Sequence, residues 1–441
     1  MEQQNNHSNL QPAHTEITMP EWDTDEYKGS PIFETKSNND VLKTTPLHNW
    51  HLSSGANMAD FGGYHMPLWY KTGVKNEHLS VLESAGIFDT SHMACILIKG
   101  SNAFDILQFC FTRDIDTLET GRCVYGAFLN DKGFSIDDAL VYKFSNTIYM
   151  VCVNSGMGAA VTNHLIENKN NFSAQIIDLT GRVAKMDIQG KNSARILAKV
   201  LKNPKDIFQK MPYFSFKNVD LLDGTNALLS RSGYTGEFGF EIFVTPYSIV
   251  QLWKDILKTG AEYNIKPCGL GARDSLRAGA VLPLSHQDIG NWVFINHPWD
   301  FALPYNSKQT GFTKNFLGKD QLLKKADHYI YPFAGDNLRK IGHSDDSFVQ
   351  DMQQKKIGSI LTCATDIGID WHDNKIVSLS SPDIPENIKI KGLSCGFIKL
   401  NKKVEYGTKL TLIEGKRKIT ITIMKDIRPD RTARKAIKNF Y

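Results

Sequence analysis

The sequence predicts an α+β protein in which two α+β lobes are followed by a small C-terminal β-barrel. Between residues 46 and about 290, apolar runs of strand length alternate with single helical segments, as is typical of an α+β fold. After about Gly318 the chain becomes rich in strand-like runs with turn signals between them. We therefore divide the 441 residues into a polar tail at 1–45, a two-lobed region at 46–320 and a barrel at 321–441.

The polar tail contains much Asn, Gln, Ser, Asp and Glu and little apolar periodicity, so we expect it to be mostly disordered. It lacks the apolar core of a signal peptide, and its acidic residues argue against a transit peptide.

The elements of the lobes and the barrel follow from the same patterns. In the first lobe we expect strands at 94–99, 125–129, 138–142 and 147–154, and helices at 76–85, 102–110 and 158–166. In the second lobe we expect strands at 182–189, 227–230 and 240–244, and helices at 193–200 and 246–258. Barrel strands are predicted at 357–364, 391–401 and 408–425.

Composition excludes several classes of function. A net charge of +4 is too small to indicate a nucleic-acid or membrane-surface partner, and no apolar run approaches the roughly 20 residues that span a bilayer. Seven scattered cysteines without a CxxC pair are typical of reduced core thiols, so we expect a reducing, cytoplasmic location. Because the histidines do not cluster, we expect no metal site.

Two adjacent carboxylates, Asp137 and Asp138, open an otherwise apolar run. Because side chains alternate across a strand, they should point to opposite faces, with Asp138 on the face of Leu140 and Tyr142. If that face lines a pocket, Asp138 has a raised pKa and can accept a proton from a nitrogen nucleophile. A solvated turn residue before a strand is the commoner explanation of such a segment taken alone.

Two glycine-rich segments are candidates for binding a small molecule. Three glycines at 232–241 indicate close approach of the backbone, and Glu241 could accept the paired N–H donors of an amino-pyrimidine. At 268–277, Arg273 could hold a carboxylate or phosphate through two N–H groups. An exposed glycine-rich hairpin is the commoner explanation of the first segment, and a structural Arg273–Asp274 ion pair explains the second equally well.

In their order along the chain, these segments resemble the motifs of the glycine-cleavage T-protein (aminomethyltransferase) family. Residues 57–70 (NMADFGGYHMPLWY) resemble its M-x-D-F-x-G-W-x-M-P-x-x-Y, and 86–93 (GIFDTSHM) resemble its G-M-F-D-V-S-H-M. The I-D-D-x-x-V-Y strand, G-Y-T-G-E-x-G-x-E and G-L-G-A-R-D-x-L-R follow. The resemblance runs almost continuously from Thr45 to about Arg277.

The resemblance implies a three-domain cloverleaf around a cavity for tetrahydrofolate, the acceptor of the one-carbon unit. Asp138 matches the essential aspartate beside the N5/N10 edge of the folate, Glu241 the acid that holds the pterin, and Arg273 an arginine of the same site. The other positions implied to bind the cofactor are Met93, Leu97, Tyr125, Leu140, Tyr142, Asn154 and Tyr234.

The implied reaction takes an aminomethyl group from the lipoyl arm of H-protein, releases ammonia and forms 5,10-methylenetetrahydrofolate. After Arg277, however, the chain departs from the family pattern. Gly279 stands at the usual glutamate position, and Ser285 and His286 stand where the family has Tyr-Gly. The identity of the donor therefore stays open at this point.

Two alternatives remain. One is a folate-dependent demethylase of a small methylated amine, sulfonium or ether, for which Trp292, Trp299 and Phe301 would form an aromatic cage, although core packing also explains these residues. The other is a non-catalytic folate binder or tRNA-modification factor. The region lacks that branch's K-x-x-C-[YFW]-x-G-Q-E motif, and the presence of Asp138 argues against it.

Overall fold

The structure, a computed structural model, describes residues 17–20, 22, 33–37, 40–324, 326–342, 344, 346–382, 384 and 388–441. Across these residues the protein is a mixed α+β structure with a closed six-stranded barrel near its C-terminal end. The predicted fold class is confirmed, whereas the domain boundaries at 46 and 321 stay predictions. None of the helices in these ranges combines the length and apolar character needed to cross a bilayer.

The first described elements form a four-stranded sheet with two helices. They are β1 (Phe33–Ser37), β2 (Asp40–Thr44), α1 (His48–Ser53), β3 (Asn57–Phe61), β4 (Tyr64–Trp69), α2 (Gly73–Glu83) and β5 (Gly86–Asp89). The sheet has the order β1-β2-β4-β3, and β5 belongs to a sheet described below.

Two of these strands lie within the segment 1–45, for which we expected mostly disorder, and for the tail as a whole that expectation stays a prediction. Strands β1 and β2 pair as a hairpin, and Lys43 of β2 pairs in parallel with Tyr64 of β4. Trp22 is buried in an apolar cluster. In residues 41–44 of β2, the buried side chains are Leu42 and Thr44. Two alternating buried positions are too few for the sequence pattern to predict a strand. Most of the remaining tail lies outside the described residues.

The first lobe is built on a five-stranded antiparallel sheet. Its elements are β6 (Ala94–Lys99), α3 (Ala103–Cys110), β7 (Arg122–Leu129), β8 (Ser135–Lys143), β9 (Ile148–Val153), α4 (Gly158–Glu167) and β10 (Gln175–Asp178). The strand order is β10-β6-β9-β8-β7, with α3 and α4 on one face.

The second lobe is built on a six-stranded sheet. Its elements are β11 (Ala184–Gln189), α5 (Ser193–Leu197), α6 (Pro204–Gln209), β12 (Phe216–Asp220), β13 (Asn226–Ser230), β14 (Gly239–Val244), α7 (Ile249–Thr259), β15 (Lys266–Pro267) and α8 (Leu270–Gly279). The order is β12-β13-β14-β11-β5-β15, so β5 crosses into this sheet from an earlier part of the chain.

The C-terminal barrel follows the short helix α9 (Lys319–Leu322). Its strands, with an attached two-stranded hairpin, are β16 (Tyr329–Gly335), β17 (Ser347–Gln350), β18 (Lys356–Asp366), β19 (Ile369–His372), β20 (Lys375–Ser378), β21 (Leu393–Leu400), β22 (Lys409–Glu414) and β23 (Arg417–Ile423). The closed order is β16-β21-β18-β17-β22-β23, and β19 pairs only with β20 among the described strands.

The two lobes pack sheet against sheet through one apolar cluster, which contains Leu97 and Met150 from the first lobe and Phe243 from the second. The alternation predicted for β8 is confirmed, because Val141 packs towards α3 and α4 whereas Tyr142 packs between the sheets. Polar residues near the start of β8 therefore lie at the edge of the interface between the lobes.

Candidate active site

The two sheets, α8 and the C-terminal segment line a cavity of about 1050 Å³. Its walls include side chains from β7, β8 and β14, the exposed face of α8, and residues 425–434. A cavity of this size can enclose a drug-sized ligand.

Asp138 is a carboxylate of this cavity and is held by two neighbours. The phenol of Tyr125 donates a hydrogen bond to Asp138 Oδ2 at 2.8 Å, and the side-chain amide of Asn154 donates to Oδ1 at 2.9 Å. Tyr125 can reach it because β7 and β8 are adjacent, with Tyr125 opposite Leu140, two residues beyond Asp138. Both oxygens of the carboxylate therefore carry a donor, which fixes its orientation.

The surroundings of Asp138 favour a stronger base than an ordinary aspartate. Burial raises its pKa to about 6, and the charge of Asp137 acts in the same direction. The hydrogen bonds from Tyr125 and Asn154 oppose this rise in pKa. Such a carboxylate is mostly ionised at neutral pH and yet accepts a proton more readily than a solvated one.

Asp137 lies beside it, fully buried, and sequence reasoning gave it no role. It accepts hydrogen bonds from the backbone N–H of Asn154 at 2.8 Å, the Asn154 amide at 2.9 Å and the hydroxyl of Ser285 at 2.8 Å. The imidazole Nε2 of His286 lies 3.6 Å from Asp137 Oδ1. The amide of Asn154 thus bridges both carboxylates, a contact that no local motif indicates.

Glu241 belongs to a second charged group on the opposite wall. Its Oε1 lies 2.5 Å from the buried ammonium of Lys185, and Ser232 and Tyr142 donate to Oε2. Lys185 also contacts Asp187 at 2.6 Å. Burial alone would lower the pKa of Lys185, but the charges of Asp187 and Glu241 raise it, so the group is a fixed cation.

Arg273 extends this group towards the cavity. Its Nη1 donates to Asp187 Oδ2 at 2.7 Å, not to the adjacent Asp274. The guanidinium carbon lies 4.8 Å from the ring centre of Tyr234, whose hydroxyl donates to the carbonyl of Pro283. Arg273 is therefore held by one buried anion and one aromatic face, with its other edge available to the cavity.

Eight of the predicted site residues line the same cavity: Met93, Tyr125, Asp138, Leu140, Asn154, Tyr234, Glu241 and Arg273. Leu97 and Tyr142 do not line it. Both are buried in the apolar cluster between the sheets, and Tyr142 reaches the site only through its 3.4 Å hydrogen bond to Glu241.

Of the three aromatic residues considered for a cage, only Phe301 lines this cavity. Trp299 is buried in the core and donates from Nε1 to the carbonyl of Val281 at 2.9 Å. Trp292 does not line the cavity and lies beneath Lys399, 4.0 Å from its ammonium. Phe301 does line the cavity, 5.6 Å from Tyr125 between ring centres. The apolar segment after Arg277 therefore packs largely as core under β7.

The cavity wall also carries Lys425, Arg431 and Arg434, in the segment that follows the last barrel strand, and none of these side chains was given a role from the sequence. They belong to the basic run 425–435. Here the backbone N–H of Ala433 donates to the carbonyl of Gly236.

Comparisons with known proteins agree with this arrangement. The sequence pattern of a family described as the GCVT N-terminal domain matches residues 47–294. An aminomethyltransferase of Caldanaerobacter subterraneus subsp. tengcongensis is 35% identical over 341 residues, covering 73% of this chain and 88% of that protein. One from Bacillus cereus strain AH187 is 34% identical over 340 residues, covering 73% and 90%.

A solved structure is similar over most of the chain. The crystal structure of glycine cleavage system aminomethyltransferase T from Bartonella henselae matches with a TM-score of 0.72 and 25% identity, covering 90% of this chain and 99% of that one. The chain belongs to the aminomethyltransferase family and is a transferase enzyme of that type.

Proposed function

We propose that this enzyme transfers a one-carbon unit to tetrahydrofolate from an aminomethyl group on the lipoyl arm of an H-protein, with release of ammonia. The observation that carries the proposal is the carboxylate of Asp138, oriented by Tyr125 and Asn154 inside a cavity of about 1050 Å³. The family supports the aminomethyl chemistry, and the similarity to an aminomethyltransferase of the glycine cleavage system supports the carrier.

The residues of the cavity fit a reduced folate. A carboxylate offers about four acceptor positions, so Glu241 retains about one for an N–H donor of a pterin beside its bonds to Lys185, Ser232 and Tyr142. The side chains of Met93 and Leu140 offer apolar surface to the rings. The glutamyl carboxylates of a folate would meet the cations of the C-terminal segment, Lys425, Arg431 and Arg434.

The reaction balances with one base in the site. Tetrahydrofolate supplies the nucleophilic nitrogen when bound, and its N5 and N10 each lose a hydrogen while the lipoyl sulfur and the departing ammonia each gain one. Ionised Asp138 accepts a hydrogen bond, and then the proton, from a folate N–H. Tyr125 and Asn154 hold the carboxylate in place, so the rate gain comes from positioning and charge placement in an enclosed cavity.

We also propose a reducing, cytoplasmic location. All seven cysteines are free, and six of them are buried. Such thiols persist where disulfides do not form.

The test compares donors with purified enzyme and tetrahydrofolate. Aminomethyl-loaded H-protein should give ammonia and 5,10-methylenetetrahydrofolate, whereas a panel of methylated amines, sulfoniums and ethers should give no product. Formation of 5-methyltetrahydrofolate from that panel would replace the proposal with demethylation. Folate binding without turnover of any donor would contradict both reactions.

A further inference from the structure

His286 has a backbone conformation that few residues with a side chain adopt. Its φ is 63°, in the left-handed region that favours glycine. This conformation directs the imidazole Nε2 to within 3.6 Å of Asp137 Oδ1, the oxygen that also accepts the hydroxyl of Ser285. Strain of this kind persists when surrounding contacts require it, and it often marks functional positions.

The contact links His286 to the candidate base. Asp137 Oδ1 and Asp138 Oδ1 both accept hydrogen bonds from the same amide, Asn154 Nδ2, each at 2.9 Å. Two neighbouring carboxylates disfavour each other's ionisation, and a cation beside one of them relieves that repulsion. The imidazole is about half exposed, so it can exchange protons with solvent while its partner Asp137 is fully buried.

We propose that His286 is a positioning residue whose imidazolium balances the charge of the Asp137–Asp138 pair and so keeps Asp138 ionised in the bound enzyme. The inference rests on the proposed function for the role of Asp138. It assigns a purpose to a histidine that lies within the segment where the chain departs from the family pattern.

The charged groups around His286 support this assignment. The contact with Asp137 raises the pKa of His286, burial opposes this, and the charges of Asp137 and Asp138 add to the rise. On its own loop, Asp288 is turned away towards Arg277 and Thr362.

Two charged or titratable groups of the cavity wall, His92 and Arg273, do not supply the same charge. Burial lowers the pKa of His92 to about 4, so it is neutral in the assay range. The charge of Arg273 is directed to Asp187. His286 is therefore the titratable cation that contacts the carboxylate pair among the described residues.

The test is the pH profile of folate-dependent transfer in His286→Asn. Asparagine tolerates positive φ, so the loop keeps its conformation while the cation is removed. The acidic limb of the pH–rate profile should move to higher pH by about half a pH unit to one unit. The rate should therefore fall about three- to eightfold at pH 5.5 and stay unchanged above about pH 8.5. His286→Gly should behave in the same way.

The control is His372→Asn, in β19, because His372 also lies near an aspartate, 3.3 Å from Asp373, but does not line the cavity. Its profile should match the wild type. An equal loss of rate by His286→Asn at every pH would mean a purely structural role and overturn the proposal, as would an unchanged profile.

A second measurement does not depend on the enzyme's activity. NMR titration of ¹⁵N-labelled histidine, with His286→Asn used for assignment, should give a pKa for His286 above the ordinary value of about 6.5. A pKa below that value overturns the inference even if transfer is observed. If no folate-dependent transfer occurs at all, a raised pKa of His286 still shows that the His286–Asp137 ion pair exists. In that case the proposed function is wrong, whereas the ion pair is confirmed.

Discussion

Tyr125 donates a hydrogen bond from its phenol to Asp138 across 2.8 Å, between adjacent strands of the first lobe. Hydrogen bonds to an ionised acceptor are stronger than those to a neutral one, so this contact stabilises the carboxylate form. It therefore limits the rise in the pKa of Asp138 that burial causes. The pair gives the site a base that is oriented before any substrate binds.

Removing the charge of Asp138 should separate binding from turnover. Asp138→Asn is close to isosteric but cannot accept the proton, so kcat should fall about 100-fold or more while tetrahydrofolate still binds. Steady-state kinetics and fluorescence titration with the folate measure the two quantities. Asp116→Asn, at an exposed position outside the cavity wall, is the control. Wild-type kcat in Asp138→Asn would show that the base is another group.

Asp138→Asn should also stabilise the fold at alkaline pH. The pKa of folded Asp138, about 6, exceeds that of the unfolded chain, so the folded state binds the proton more tightly. Stability is therefore lost as pH rises from about 4 to 6, by at most about 3 kcal/mol. The difference in Tm between Asp138→Asn and wild type should be more positive at pH 8 than at pH 4. Thermal unfolding checks this, and a difference that does not vary with pH would contradict it.

The fold was predictable where apolar patterns are long. The strand Ala94–Lys99 was predicted with its observed bounds, and most helices and strands of the lobes were predicted within three residues. Strand β5 was missed because its apolar run is only two residues long, Ile87 and Phe88, between a glycine and an aspartate. The predicted strand at 408–425 is a hairpin, since the chain turns at Gly415, where φ is 55°.

The site was predictable only in part. Asp138, Glu241 and Arg273 stand in motifs, and the structure brings them to one cavity. The contact between Ser285 and Asp137 joins positions 148 residues apart, and no local pattern reveals such a pairing. Lys185 was missed for a different reason: a lysine inside an apolar strand gives no sign of the anions that compensate it until the neighbouring strands are known.

Glu241 should contribute to affinity more than to rate. Glu241→Gln keeps the shape but weakens the hydrogen bonds to a pterin edge, and bonds to a charged group contribute about 1.5–3 kcal/mol. The Kd for tetrahydrofolate should therefore rise about tenfold or more, with a smaller change in kcat at saturating folate. Calorimetric titration at pH 7.5 measures the affinity.

The matched control is Glu262→Gln, because Glu262 also pairs with a lysine, Lys199, but at the surface. Its affinity for folate should equal that of the wild type. A lowered kcat for Glu241→Gln with an unchanged Kd would place Glu241 in the chemical step instead.

Arg428 should be the residue that ties the barrel to the lobes. It is fully buried, and it lies 2.6 Å from Asp366 at the end of β18 and 3.1 Å from Glu237, just before β14. It also donates to the carbonyl of Leu276 in α8 at 3.2 Å. One guanidinium thus contacts the barrel, the second lobe and the helix that carries Arg273.

Arg428→Met should lower the free energy of unfolding by about 3–5 kcal/mol, because it leaves buried Glu237 without its cation and Asp366 with only His78 beside it. Burial alone would raise the pKa of Asp366, but Arg428 and His78 lower it to about 2. In the wild type, the stability contributed by Asp366 is therefore present above about pH 4 and is lost as pH falls towards 2. That acid-induced loss of stability should shrink in Arg428→Met.

Urea unfolding between pH 3 and 7 measures both effects. The control is Arg417→Met, since Arg417 pairs with Glu414 at the exposed surface of the same barrel. Equal unfolding free energies for the two variants would mean that the barrel is held to the lobes by apolar contacts alone.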